Sequence, residues 1–248
     1  MSPTVRGKPD RVLRLASALT AMLTLAPSSI EAAPPLAKTP PPLEVYMGRR
    51  IAATMHYAGA EWLIRPERER EENCTRLMKS LGLKSGMTVC DMGCGNGFYA
   101  LRMARQVGSS GRVLAVDIQK EMLRLLEDRA EAAGLKNIRS VLGTVSDPKL
   151  TERNIDLILC VDVYHELSHP VHVLAAMRRA LAPKGRLVLV EFRAEDRRVP
   201  IKPLHKMSKK QILKEIPANG FKLVDQYDGL PWQHVMFFER DDAASGRP

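Results

Sequence analysis

The chain has 248 residues, 45% of them apolar and 27% charged, with a formal net charge of +10. That length and balance fit one soluble globular domain with a tail. The four cysteines form no C-x-x-C pair, which excludes a zinc or disulfide framework, and no internal repeat is present.

The N-terminal residues differ from the rest. Arg6, Lys8, Arg11 and Arg14 precede an apolar run over 15–26, and small residues follow at Ala32 and Ala33. This pattern predicts an export signal over 1–32, cleaved near Ala32. A mitochondrial-type presequence is the competing reading, because Asp10 is the only acid in the first 30 residues. The apolar run is shorter than the roughly 20 residues that span a bilayer, so no transmembrane helix is expected. Proline clusters make 33–44 an extended linker.

Residues 45–82 are expected to form an N-terminal helical lid segment, with helices over 46–55 and 66–81. Pro66 followed by several acids suits a helix start. The apolar stretch 57–63 between them is either a lid over a site or a packed bracket. From residue 87 onward strands and helices alternate. Strands are expected over 87–92, 112–117, 138–142, 155–161, 186–191, 221–227 and 234–239. Helices are expected over 97–106, 120–133, 170–181 and 208–216, the last capped by Ser208. Alternation of this kind builds a mostly parallel α/β sheet with helices on both faces, and its ligands bind beyond the carboxyl ends of the strands. Residues 241–248 form a tail.

The first strand runs into Asp91-Met92-Gly93-Cys94-Gly95-Asn96-Gly97-Phe98. A dinucleotide turn reads G-x-G-x-x-G and holds a pyrophosphate. Here the spacing is G-x-G-x-G, and Phe98 stands where the third glycine would fall. Asp91 at the strand end would repel a pyrophosphate. It suits a ligand with positive charge, such as the ammonium and sulfonium groups of S-adenosylmethionine (SAM). The second strand ends in Asp117, about 20 residues further on, where a carboxylate accepts hydrogen bonds from both ribose hydroxyls. Ile118 then lies against the adenine, or packs in the core.

Residues 88–99 and 112–118 resemble the first two motifs of the class I SAM-dependent methyltransferases. Residues 181–191 are similar to that family's later L-x-P-G-G turn and fifth strand, with Lys184 in place of the first glycine. The resemblance covers about residues 80–240. It implies a Rossmann-like, seven-stranded, mostly parallel sheet with the last strand antiparallel. It also implies that the turn Gly93, Cys94, Gly95 and Gly97 packs against the methionine part of SAM, that Asp91 faces its amino group and that Asp117 holds the ribose. Many members carry an acid after the third strand to meet the adenine amino group. This chain has Gly143-Thr144-Val145-Ser146-Asp147 there, so Thr144 or Val145 supplies backbone groups, or Asp147 reaches back. Val161 ends the fourth strand beside the cofactor.

After that strand come Asp162, Tyr164, His165 and Glu166, where the family places substrate-facing residues. His165 is the candidate general base. Tyr164 would orient or stack on the acceptor, with Asp162 beside them. The alternative is a helix-start turn that only closes the site. Asp162, His165 and Glu166 are also similar to the E-x-x-E-H metal segment of quinone-pathway catechol O-methyltransferases, with the last two types exchanged. Such spacing is common on helices without metal, and no residue is assigned as a metal ligand.

The expected function is methyl transfer from SAM to a small-molecule acceptor. A nucleic-acid or protein methyltransferase is the first alternative, since residues 178–214 hold twelve Lys or Arg against three acids. Such a segment attracts acidic substrates or anionic surfaces. Phe192 is its only aromatic, and no Asn/Asp-Pro-Pro-Tyr/Phe tetrapeptide follows the fourth strand, so nucleic acid is not the expected partner. A SAM-binding module without catalysis is the second alternative. The export-like leader sits uneasily with a cofactor made in the cytosol.

Overall fold

The structure, a computed structural model, describes Met1 and residues 39–242. The leader expected over 1–32 and residues 243–248 of the tail lie outside the described residues, apart from Met1. Among the described residues no helix is long and apolar enough to cross a membrane.

The first described elements are two short strands, β1 (Val45–Tyr46) and β2 (Arg49–Arg50), paired as a hairpin. This corrects the helix expected over 46–55. Met47 and Gly48 both take positive φ, at 48° and 87°, which suits a two-residue hairpin turn and no helix. The hairpin is also anchored from outside. The Arg49 guanidinium donates to both oxygens of the buried Glu215 at 2.9 and 3.0 Å and to the His165 carbonyl at 2.9 Å. Residues 57–64 form a 3-10 helix. The helix expected over 66–81 is split into α1 (Arg68–Glu72) and α2 (Cys74–Ser80). Asn73 breaks it at φ 51°, and its side chain accepts from the Arg76 N–H, capping α2.

Seven strands make the main sheet: β3 (Thr88–Met92), β4 (Arg112–Asp117), β5 (Ile138–Leu142), β6 (Ile155–Val161), β7 (Leu181–Phe192), β8 (Phe221–Tyr227) and β9 (Gln233–Arg240). Their order is β5-β4-β3-β6-β7-β9-β8. The pairs from β5 to β7 are parallel, and β9, the last strand of the chain, runs antiparallel between β7 and β8. The remaining helices are α3 (Phe98–Val107), α4 (Lys120–Ala132), α5 (Pro170–Ala180) and α6 (Lys209–Glu215).

Period-two alternation divides the core. Val89, Leu157, Val188 and Phe237 face one side, packed with Leu77 of α2, Met103 of α3 and Leu126 of α4. Cys90, Ile158, Leu187 and Met236 face the other, with Leu174 of α5 and Ile212 of α6. With both faces covered, the central strands read as nearly unbroken apolar runs. The chain leaves β3 toward β4 and β5, then returns to the far side of β3 as β6. That reversal opens a crevice at the carboxyl ends of β3 and β6, where ligands of such sheets bind.

Candidate active site

A cavity of about 500 Å³ opens at this crevice. Its volume is typical of a cofactor or small-ligand site. One half of it is built from β3, β4 and the loops that follow. The N–H groups of Gly93 and Cys94 donate to the Val116 carbonyl at 2.8 and 2.9 Å, tying the glycine turn to β4. The Gly95 N–H donates to Asp117 Oδ2, and the Gln119 N–H to Asp117 Oδ1, both at 2.9 Å. Burial pushes the Asp117 pKa up, and these N–H groups pull against that. A carboxylate has about four acceptor sites, so Asp117 keeps acceptor capacity for a ligand. A side chain at Gly93 would place its Cβ 2.6 Å from Val163, so only glycine allows the turn to lie this close to the loop after β6.

Gly93, Asp117, Ile118, Thr144, Val145 and Val161 all line the cavity. Ile118 and Val145 are the exposed branched side chains at its mouth. Thr144 closes its own loop: its Oγ1 accepts the Asp147 N–H at 3.0 Å. Asp147 pairs with Lys149 instead of reaching back to the cavity. Asp91, Cys94, Gly95 and Gly97 shape the turn without lining the cavity. Asp91 is buried, one of its oxygens has no partner, and burial raises its pKa to about 7.

The segment 57–64 is both bracket and wall. The Asn96 side-chain amide donates to the Ala60 carbonyl at 2.8 Å, and Leu63 packs on Gly95. Gln119 accepts from the Tyr57 N–H and donates to the Met55 carbonyl, both at 2.9 Å. Trp62 and Leu63 face the cavity.

The other half gathers side chains from distant parts of the chain. Residues Tyr164–Glu166 form one 3-10 turn, and three residues per turn send successive side chains in different directions. Tyr164 goes into the core, where its hydroxyl donates to Glu215 at 2.8 Å; it does not line the cavity. Its expected place against an acceptor is therefore not where the fold puts it. It braces the turn together with Arg49, which holds the His165 carbonyl. His165 and Glu166 both line the cavity. The His165 Nδ1 lies 2.6 Å from Glu191 Oε2, and its Nε2 lies 3.1 Å from His205 Nδ1. Burial disfavours the His165 charge, but Glu191 and Glu166 outweigh it and raise the pKa. Burial also lifts Glu166 to about 7. His205 is lowered by burial, by His165 and by Lys202.

Asp162 joins the two halves. It lines the cavity at φ 55°, its Oδ2 accepts from Gln233 at 2.7 Å, and its buried Oδ1 has no partner. Burial pushes its pKa well up. Arg68, also on the cavity wall, donates to Glu72 and to the Leu63 carbonyl, both at 2.7 Å.

The family model described as a methyltransferase domain matches residues 83–233. The chain belongs to the class I SAM-dependent methyltransferases. It is 27% identical over 116 residues to a demethylmenaquinone methyltransferase of Staphylococcus aureus, covering 47% of each protein. With the same enzyme of Staphylococcus carnosus it shares 26% over 171 residues, 67% of this chain and 68% of the relative. A ubiquinone/menaquinone biosynthesis C-methyltransferase of Azotobacter vinelandii is 32% identical over 112 residues, 45% of this chain and 44% of that one. The chain thus spans about half the length of most of the curated relatives it matches. A solved SAM-dependent methyltransferase from Aquifex aeolicus superimposes with a TM-score of 0.70 at 25% identity, covering 75% of this chain and 98% of that one.

The residues of this methyltransferase fit SAM. Asp117 has acceptor sites to spare for ribose hydroxyls, and Ile118 and Val145 offer apolar surface for a purine. The unpartnered Asp162 Oδ1 is a ready acceptor for an ammonium, and the Arg68 guanidinium suits a carboxylate. Arg68, Glu191, His205 and Gln233 complete the site beyond the residues that the sequence motifs mark. Glu191 had a signal, an acid closing the apolar run Leu187–Val190. His205 had none, since it lies 40 residues from His165 within a basic loop.

Many cations of segment 178–214 are already engaged. Arg186 donates to the Leu81 carbonyl, Arg193 to those of Pro231 and Asp228, and Lys214 to that of Met47. Arg198 pairs with Asp196, and Lys209 with Asp228.

Proposed function

We propose that the chain transfers the methyl group of SAM to a small acceptor that is largely apolar and carries an ionisable hydroxyl, of the phenol or hydroquinone class. The observation that carries this reading is the composition of the cavity's second half. Val163, Leu167, Phe192 and Ile201 give it apolar walls, and among the described residues its titratable side chains are His165, Glu166, His205 and Lys202, with Asp162 at the junction of the halves. The names of the quinone methyltransferases to which the chain is similar point the same way.

SAM brings its own activation through the sulfonium charge. The protein has to align the acceptor, exclude water and deal with the acceptor's proton. In this reading His165 donates its Nδ1–H to Glu191, so that Nε2, which faces His205 Nδ1 at 3.1 Å, takes the hydroxyl proton when the acceptor displaces the partly exposed His205 from it. Glu191 then stabilises the imidazolium. The sulfur–methyl bond breaks as the acceptor–methyl bond forms, giving S-adenosylhomocysteine and the methylated acceptor. Incubating the full chain with SAM and a panel of phenols, catechols and hydroquinones tests this. The expected result is S-adenosylhomocysteine release with a methyl mass gain on a panel member. A chain that binds SAM yet methylates only peptide or nucleic acid would overturn it.

A further inference from the structure

Three potential metal ligands converge at the acceptor end of the cavity. His165 Nε2 and His205 Nδ1 stand 3.1 Å apart. Glu166 Oε1 lies 3.8 Å from the first and 3.6 Å from the second. Those two distances are too long for hydrogen bonds. Ligand atoms bound about 2.1 Å from a shared ion stand roughly 3.0–3.5 Å apart. The triangle is therefore about the size that one ion would close, with small side-chain rotations at Glu166. All three side chains line the cavity, so a fourth direction is open to a ligand.

A second observation comes from behind the triangle. Glu191 is fully buried and sits 2.6 Å from the other ring nitrogen of His165. Metal-bound histidines characteristically donate their free N–H to a carboxylate in this way, which fixes the tautomer and turns the second nitrogen toward the ion. The His165 turn is held further by Arg49, through its backbone carbonyl.

We infer that His165 Nε2, Glu166 and His205 Nδ1 form a site for one first-row divalent transition ion at the acceptor end of the cavity. Two imidazoles and one carboxylate favour zinc, iron, cobalt or manganese over magnesium or calcium, which take oxygen ligands. The inference rests on the acceptor end proposed above and deepens it. The acceptor hydroxyl would bind at the open position and ionise there, its proton leaving to solvent. His165 is then a ligand, and the ion takes over the proton-displacing part assigned to it above. The oxygen–metal contact would also orient the ring for attack on the methyl group.

The test is a titration of cobalt(II) and zinc(II) into the full chain, made without a polyhistidine tag and stripped with chelator. The expected result is one ion per chain, with a visible cobalt absorption band. Affinity should fall at least about tenfold in His205→Ala and in Glu166→Gln. His205 is partly exposed, so His205→Ala should keep its thermal transition and bind SAM within about twofold of the parent. A parent chain that binds SAM but takes up no ion overturns this inference and leaves the methyltransferase reading standing. Equal uptake in the parent and both variants places the ion elsewhere and also overturns it. A parent chain that fails to bind SAM counts against the methyltransferase reading instead.

Discussion

The two halves of the cavity are built in different ways. The cofactor half is local. Residues 91–97 and Asp117–Gln119 sit at the ends of two adjacent strands, and backbone hydrogen bonds hold them together. The acceptor half is assembled from afar. His165 follows β6, Glu191 lies in β7, His205 comes from the loop before α6, and Arg49 reaches in from the N-terminal hairpin. A local turn bound to a strand edge can keep its ligand while the acceptor changes. A site made from four distant segments can be re-tuned by altering any of them.

The sharpest way to break that contrast is to strain the local half. In Gly93→Ala the new Cβ meets Val163 at 2.6 Å at a φ of 69°. A loss of about 3 kcal/mol in stability is expected, from overpacking plus the left-handed strain, together with loss of SAM binding. Chemical denaturation checks the first effect and calorimetry the second. Next comes the distant half. Glu191→Ala leaves the buried His165 N–H without its partner, and turnover should fall roughly 10- to 100-fold with SAM affinity nearly unchanged. Steady-state kinetics beside a SAM titration would expose a merely structural role, in which both quantities fall together.

A smaller effect concerns pH. Asp91 holds its proton up to about pH 7 in the folded chain. An unfolded Asp titrates near 3.9, so the ligand-free fold binds the extra proton between those values and loses stability as pH rises from about 4 to 7. Asp91 sits behind the glycine turn and off the cavity wall, and a cationic ligand in the cavity would favour its ionised form across that turn. SAM affinity should therefore fall as pH drops below 7, up to about tenfold per unit, and Asp91→Asn should flatten the profile. A parent profile already flat from pH 8 to 6 would remove Asp91 from the ammonium's surroundings. The smallest effect is expected at the rim, where Trp62 is 41% exposed and stacked on Arg65. Trp62→Ala should change KM for SAM or acceptor by no more than about fivefold.

The same contrast explains what could be read from the sequence. The strands from β3 to β9, the glycine turn and Asp117 depend on short-range pattern, while the antiparallel last strand and the places of Thr144, Val145 and Val161 followed from the family resemblance that this pattern carries. The hairpin at 45–50 did not, because its anchor is Glu215 in α6, and a tertiary ion pair leaves no trace in local periodicity. Tyr164 and His165 are neighbours in sequence, but a 3-10 turn parts them, sending one into the core and the other to the cavity. Glu191 and His205 became visible as partners only once the sheet order brought β7 beside β6.

The central claim is that the crevice between β3 and β6 holds SAM through Asp117. Calorimetric titration of SAM into the full chain and into Asp117→Ala tests it most directly. One SAM per chain is predicted for the parent. For the variant, affinity should be weaker by about 100-fold or more, because the carboxylate holds the glycine turn and, on the proposed reading, would also accept the ribose hydroxyls. A parent that does not bind SAM, or a variant that binds it equally well, would contradict the account.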